Sequence, residues 1–306
     1  MIFFPYRADH EIRYIPLLTI LISIVCIVVY IQQEKNAKEL DLAIDGFCGV
    51  QQPQIYRLAL NALYGSSTTG ECVDFILGMH TAERQDDYLS DAIKESDPLA
   101  GFNRTDSNQY LDKVLRENYE LFARAAPEYL TYELSYHPQS WNPLTMLTAA
   151  FAHASWDHVL FNLIFFFAFA ATVEAILGYL FFPVAITTIA VLSHVFYSVV
   201  MLGVVDPPPT VGLSGVVSGV MAMFVYFLPH TKIRCFFWFI IFIKRFNVSA
   251  WLFVAFFIGW DIFYLFNDED SSNINFAAHV GGAMVGYLLG LILFRRQKRE
   301  VNQIDY

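Results

Sequence analysis

Eight side chains in or beside the most apolar stretches of the chain stand out as candidates for chemistry: His153, His158, Asn162, Glu174, His194, Ser214, Asp261 and His279. Two of them have complementary chemistry. Ser214 lies in TVGLSGVVSGVMAMF, flanked by Gly212 and Gly215, where the chain turns apolar. A serine hydroxyl is a weak nucleophile alone and needs a base within hydrogen-bond reach. His279, which heads FAAHVGGAMVGYLLG, can be that base. Each sits near the start of a predicted helix, where free N–H groups and the positive dipole end suit an oxyanion. His158 and Asn162 are four apart and share one helix face, from which both can donate to such an oxyanion. His153 and His158 are five apart, about 140° around a helix, which does not suit a two-histidine metal pair. No H-E-x-x-H occurs and no cysteine accompanies these histidines, so neither a metal nor another cofactor is expected.

These groups must be brought together by their helices. Gly215 and Gly219 form a G-x-x-x-G beside Ser214, and Gly282 and Gly286 lie three and seven residues past His279, on its face. Small residues let two backbones approach closely. Packing these two faces would set Ser214 and His279 at one depth. Glu174 is twelve residues past Asn162, ~18 Å along a helix, and is read as structural. No aspartate at the depth of His279 stands out as its partner, so a Ser-His dyad is expected rather than a triad. Each residue also has a plain reading. A serine in a glycine-rich helix is usually packing, a lone histidine structural or part of a proton path, and an asparagine interhelical glue. Their coincidence at one depth on three helices favours chemistry.

The composition supplies the setting. The chain has 306 residues, 56% hydrophobic and 17% aromatic, which is unusual for a soluble domain. A bilayer span needs ~20 apolar residues. Six runs approach that: Tyr14–Ile31, Asp157–Leu177, Leu180–Leu202, Gly212–Leu228, Val248–Phe266 and Phe276–Phe294. Arg234–Ile243 is shorter and is read as an interfacial or re-entrant piece. Residues 32–140 hold 9 Lys/Arg against 18 Asp/Glu, nearly all of the formal net charge of −10. Helical patterns recur there, and no catalytic motif does; His80 and His137 are expected at its surface. No basic patch appears, so no nucleic-acid partner is expected. The expected domains are therefore 1–31, an N-terminus with the first span, and 32–140, an acidic soluble insert. Residues 141–294 form the membrane core and 295–306 a basic tail.

Orientation follows the Lys/Arg placement. An even number of spans puts three basic segments on one side. They are Arg7 and Arg13; Lys232, Arg234, Lys244 and Arg245; and Arg295, Arg296, Lys298 and Arg299. The opposite connections carry Asp206 and Asp268-Glu269-Asp270. Both termini are expected to be cytoplasmic, the first span to be an uncleaved anchor, and the protein to be multi-pass in a bacterial inner membrane. Cys48 and Cys72 then face the oxidising side and are expected to pair, stabilising the insert by ~3 kcal/mol in the loop-entropy model.

At this point the chain resembles the rhomboid family of intramembrane serine proteases, over roughly Trp141 to Phe294. Three motifs carry the resemblance: H-x4-H-x3-N at His153, His158 and Asn162; G-x-S-G at Gly212–Gly215; and A-H-x2-G-x3-G at Ala278–Gly286. Glu174 and Gly178 also fit the family's E-x3-G. The resemblance implies an all-α, six-span bundle with the mainly helical insert between the first and second spans. It implies Ser214 as nucleophile and His279 as base. His158, Asn162 and the backbone N–H groups of Leu213 and Ser214 would form the oxyanion hole. His153 would support the first loop, and the fifth span would act as a lateral gate. Two positions depart from the pattern. Ser218 stands where many members carry an aromatic that stacks on the histidine, and the family's Trp-Arg pair is Trp141-Asn142 here. The implied activity is endopeptidase cleavage of transmembrane protein substrates in or near the lipid bilayer. The competing readings are an inactive rhomboid-like protein that binds membrane clients, and a transporter or channel.

Overall fold

The computed structural model describes residues 2–8, 15–82, 84–205, 207–239, 242–267 and 274–304. Arg13, Asp206 and Asp268-Glu269-Asp270, which enter the orientation argument, lie outside the described residues. In chain order the elements are β1 (Ile2–Ala8), α1 (Leu17–Cys48), α2 (Gln54–Tyr64), α3 (Thr69–Thr81), α4 (Gln85–Glu95), α5 (Arg104–Ala123), α6 (Leu130–Leu134), α7 (Pro143–Thr148), α8 (Trp156–Val200), α9 (Ser214–Phe227), β2 (Lys232–Phe239), β3 (Phe242–Ser249), α10 (Ala250–Asn267), α11 (Phe276–Leu293) and α12 (Arg295–Ile304). Two compact units result: Met1–Ile31 with Leu134–Tyr306, and Gln32–Glu133.

The first unit is built around α9. Its residues from Gly215 to Phe224 are all buried, as a helix apolar on every side requires. It packs against α8, α10 and α11. Toward α11 there are no side chains to separate the backbones. A Cβ at Gly282 would run into the Gly215 carbonyl, and one at Gly286 into the Gly219 carbonyl. A Cβ at Gly219 would stand 2.8 Å from the Gly282 carbonyl oxygen. Four helices are long and apolar enough to cross a membrane among the described residues: α1, α8, α10 and α11; α9 is apolar but shorter, at 14 residues. The 45-residue α8 is interrupted at Gly178, whose φ of 72° and ψ of 175° are not helical. Glycine adopts this conformation without the Cβ clash that other residues meet.

Glu174, one turn before that break, is fully buried. Its carboxylate accepts from the Leu18 N–H (3.0 Å), the Thr19 N–H (2.7 Å) and the Thr19 hydroxyl (2.7 Å). These N–H groups belong to the first turn of α1, which has no intrahelical partner for them. Glu174 therefore caps α1 and ties its start to α8.

The all-α expectation is corrected by a three-stranded antiparallel sheet in the order β1-β2-β3. Arg234–Ile243, expected to be interfacial or re-entrant, falls largely within the β2–β3 hairpin, where Cys235 pairs with Phe246 and Arg234 with Asn247. The residues alternate: Ile233 and Cys235 are buried, while Lys232 is exposed and Arg234 and Phe236 are half-buried. Period-two burial with aromatic and β-branched residues is strand chemistry. Pro5 is tolerated because β1 is an edge strand, and the register shifts between Pro5 and Arg7.

The second unit is helical. Leu40, Tyr56, Leu60, Phe75, Ile76, Leu111 and Leu115 form its core. Thr68 and Glu71 make a capping box at α3. The Ser66 and Thr68 hydroxyls and nearby N–H groups hold the Glu71 carboxyl down to about 2. Asn103 caps α5 by accepting from the Asp106 N–H at 2.9 Å. Cys48, the last residue of α1, is bonded to Cys72 in α3, with Cα atoms 5.7 Å apart. His80, expected at the surface, is half-buried, its Nε2 3.0 Å from the Pro127 carbonyl oxygen.

The glycine contact gives a direct test. Gly286→Ala should lower stability by roughly 1–3 kcal/mol, because the obstacle is backbone and cannot swing away. Gly259→Ala, in α10 with open space around the new methyl, should be neutral or slightly stabilising. Thermal unfolding of both variants in one detergent checks the contrast.

Candidate active site

Three helix starts meet at the polar cluster. Ser155 caps α8 by accepting from the His158 N–H at 3.1 Å, so His158 lies in the first turn and Asn162 one turn further. Asn275 caps α11 by accepting from the Ala278 N–H at 2.9 Å, which places His279 in that first turn. Ser214 is the first residue of α9. The Val217 N–H bonds to the Leu213 carbonyl at 2.9 Å, so the N–H groups of Ser214, Gly215 and Val216 precede the intrahelical ladder.

The segment leading to Ser214 is pinned in three places. Tyr136 and Thr210 exchange two backbone hydrogen bonds of 2.9 Å. The Tyr197 hydroxyl donates to the Pro208 carbonyl at 2.6 Å. The Gly212 N–H donates to the Ala149 carbonyl at 2.8 Å. Gly212 has φ of 126°, outside the range other residues favour. A Cβ there would stand 2.7 Å from the His158 ring and 3.6 Å from Asn162 Nδ2. The missing side chain is what lets these two donors reach the backbone just before Leu213 and Ser214.

On the other side, a Cβ at Gly215 would stand 3.3 Å from the Ala278 carbonyl oxygen. The residues beside this contact are thus near neighbours: Ser214 precedes Gly215, and His279 follows Ala278. No hydrogen bond joins the Ser214 hydroxyl to the His279 ring among the described residues. The His279 ring instead turns Nδ1 toward Asp261 on α10, with Nδ1 and Oδ1 3.2 Å apart. This is the residue the sequence reading missed. Asp261 was visible as the one acid in the apolar run of α10, and it lies six residues before that helix ends. His279 lies three residues after α11 begins. Antiparallel neighbours bring those positions to similar depths.

The remaining residues divide cleanly. His153 is buried, its Nδ1 3.2 Å from the Phe151 carbonyl oxygen and its ring edge-on to His158 at 5.1 Å. His194 is buried and bonded at Nδ1 to the Ala190 carbonyl, 2.8 Å away. Ser218 is buried one turn past Ser214. Asn142 caps α7 by accepting from the Leu144 N–H at 3.0 Å. Glu174 is engaged with α1 rather than with the cluster. Cys48 and Cys72 belong to the other unit. Among the described residues no cluster of three or more His, Cys, Asp or Glu is arranged to hold a metal ion.

Among the described residues Asn162 Nδ2 is one of several buried side-chain atoms without a hydrogen-bond partner, and it is the one beside His158 and Gly212. A buried donor without an acceptor costs about 1–3 kcal/mol, and such groups in folded proteins require a reason. A donor beside His158, facing the start of α9, can serve an oxygen that arrives with a ligand.

Apolar helices whose starts gather a serine, two histidines and an unpaired amide donor define a membrane-embedded protein with a polar site. The Rhomboid domain model matches residues 139–296, about half of the chain, and the chain belongs to the rhomboid family. It is also 24% identical over 161 residues to Rhomboid protein 1, mitochondrial, of Saccharomyces cerevisiae, a match covering 51% of this chain and 44% of that protein. The chain thus matches less than half the length of that relative. No solved structure matches.

Asn162 and Glu174 should separate in stability. Asn162→Ala removes no hydrogen bond from Nδ2, so its unfolding temperature in detergent should equal or exceed that of the unaltered protein. Glu174→Ala strips three donors of their acceptor and should cost about 3 kcal/mol or more. A large loss in Asn162→Ala would mean the side chain is structural.

Proposed function

We propose that this rhomboid family protein is an active intramembrane serine endopeptidase that cuts transmembrane protein substrates. Ser214 is the nucleophile and His279 the general base. His158, Asn162 and the backbone N–H groups of Leu213 and Ser214 form the oxyanion hole. The observation that carries this reading is Asn162 Nδ2, a buried donor without an acceptor at the start of α9. A tetrahedral intermediate would supply the missing acceptor, and a donor aimed where charge develops acts on the transition state. The protein has six spans in this reading, α1 and five in the membrane core, with α8 counted as two around Gly178 and the short α9 as the fourth.

The bonding is simple to follow. The Ser214 Oγ–carbonyl carbon bond forms as the Oγ proton passes to His279. The peptide C–N bond then breaks as that proton passes to the departing amine. Water, deprotonated by His279, releases the acyl group and regenerates Ser214. A rhomboid-like protein that binds clients without cutting them is the rival reading.

A fluorophosphonate probe should label the purified protein, and Ser214→Ala should abolish the label. Cleavage of a single-span test substrate should disappear in Ser214→Ala and in His279→Ala, and the double variant should be no worse. Asn162→Ala should lower turnover with substrate binding unchanged. Folded protein that takes no label would favour the client-binding reading.

The Cys48–Cys72 bond supports a topology with the 32–133 unit on the oxidising side, since such bonds persist there. Mass mapping of unreduced peptides, from protein taken directly from its membrane, should recover the linked pair. Recovery of both thiols alkylated without reductant would reject that topology.

A further inference from the structure

Asp261 needs an explanation of its own. It is the one acidic or basic side chain within α10, AWLFVAFFIGWDIFYLFN, a helix long and apolar enough to span a membrane. A carboxylate in such a helix is expensive unless paired and marks a functional position by default. Its side chain is only 13% exposed, and the group it meets is His279, itself 16% exposed. The contact is made at Nδ1, at 3.2 Å. One turn along, Tyr264 of α10 stacks on Phe276 of α11, with centroids 5.3 Å apart and planes 20° from parallel. Tyr264 is three residues after Asp261, and Phe276 is three before His279. The two contacts are successive rungs between antiparallel helices, so the stack fixes the register that sets Asp261 against the imidazole.

A neutral imidazole carries its proton on one nitrogen and accepts with the other. Which nitrogen holds the proton is decided by the hydrogen bond made at the other side of the ring. A carboxylate at Nδ1 favours the Nδ1–H form and leaves the Nε2 lone pair free. It also stabilises the imidazolium formed when Nε2 takes a proton. The buried carboxylate does not itself have to change protonation.

We propose that Asp261 is the positioning residue of His279. It holds Nδ1–H, orients Nε2 toward Ser214 and stabilises the cation that forms as the Ser214 proton moves to Nε2. The proton that leaves Ser214 Oγ resides on Nε2 until the amine takes it, while the Nδ1 proton stays shared with Asp261 throughout. The inference rests on the Ser214–His279 assignment above and adds a third member that sequence order alone did not supply. The 3.2 Å separation is expected to tighten when substrate closes the site, as contacts in unliganded catalytic clusters commonly do.

Asp261→Asn tests this with almost no change of volume. Fluorophosphonate labelling of Ser214 should slow by ~10²–10⁴-fold, and kcat on a single-span substrate should fall by a similar factor, with KM within about threefold. Asp261→Glu, which keeps the charge, should recover part of both rates, whereas Asp261→Leu should not. A purely structural role would move stability or KM and leave the labelling rate of folded protein alone. In histidine-selective ¹⁵N spectra, unaltered protein should show His279 protonated at Nδ1, and Asp261→Asn should shift it toward the Nε2–H form. This readout does not require activity and can be repeated in Ser214→Ala. Wild-type labelling by Asp261→Asn, or an unchanged His279 tautomer, overturns the proposal and leaves the Ser214 assignment standing. An unlabelled wild-type protein overturns both.

Discussion

The contact of bare backbones between α9 and α11 is the constraint on which the rest of the membrane core depends. Lipid tails are as apolar as leucine, so no hydrophobic force presses two spanning helices together. Close approach has to come from removing side chains. Gly215 and Gly219 meet Gly282 and Gly286 with carbonyls where Cβ atoms would otherwise stand. Because the contact begins at the first turn of each helix, it also aligns their starts. Ser214 and His279 are neighbours as a result of that packing, not because either reaches for the other. Gly212 extends the same device to α8, whose His158 ring occupies the space its side chain would take.

A site assembled this way is surrounded by polar groups that must be satisfied without water. Most are. Glu174 answers three donors of α1, His194 bonds the Ala190 carbonyl, and Asp261 meets His279. Against that background the unpaired Nδ2 of Asn162 is informative. Glu174 and Asn162 are twelve residues apart on one helix and have opposite status. The glutamate is saturated and holds two helices together, whereas Nδ2 of the asparagine has no partner among the described residues. An unmet buried donor costs stability that an arriving acceptor, a ligand oxygen or a water, can return.

Much of this was legible in the sequence, because membrane proteins write their constraints in run lengths and small residues. The apolar run from Phe276 ended where α11 does, within one residue. The glycine pairs named the helix faces that meet. The sheet was not legible by the same rule. The stretch from Arg234 was judged by the length of its apolar run, which hid the alternation that buries Ile233 and Cys235 while their neighbours stay partly or fully exposed. Helices from Gln54 to Ala123 were anticipated from pattern, but the continuation of α1 past Ile31 to Cys48 was not, since QQEKNAKEL ends the apolar run without ending the helix. Polar residues with high helix propensity carry a helix on where hydropathy says it should stop.

Asp261 was missed for a different reason, and it changes how the histidine is held. A dyad was expected because no aspartate stood out at the depth of His279; Asp261 reaches it from α10, which runs antiparallel to α11. An imidazole has two soft torsions and two tautomers, and a base needs one of each. Ser218, the short residue one turn past Ser214, offers no ring to stack on it. Phe276 touches it only edge-on, with centroids 6.3 Å apart. The strongest hold on the ring is therefore electrostatic and comes from another helix. Such a hold is sensitive to distance in a way that a packed ring is not. Parting α10 from α11 by about 1 Å would take the 3.2 Å contact beyond hydrogen-bond range and release both orientation and tautomer. The orientation of the His279 ring and the docking of α10 are thus linked, and the Tyr264–Phe276 stack that fixes the register of the two helices bears on both.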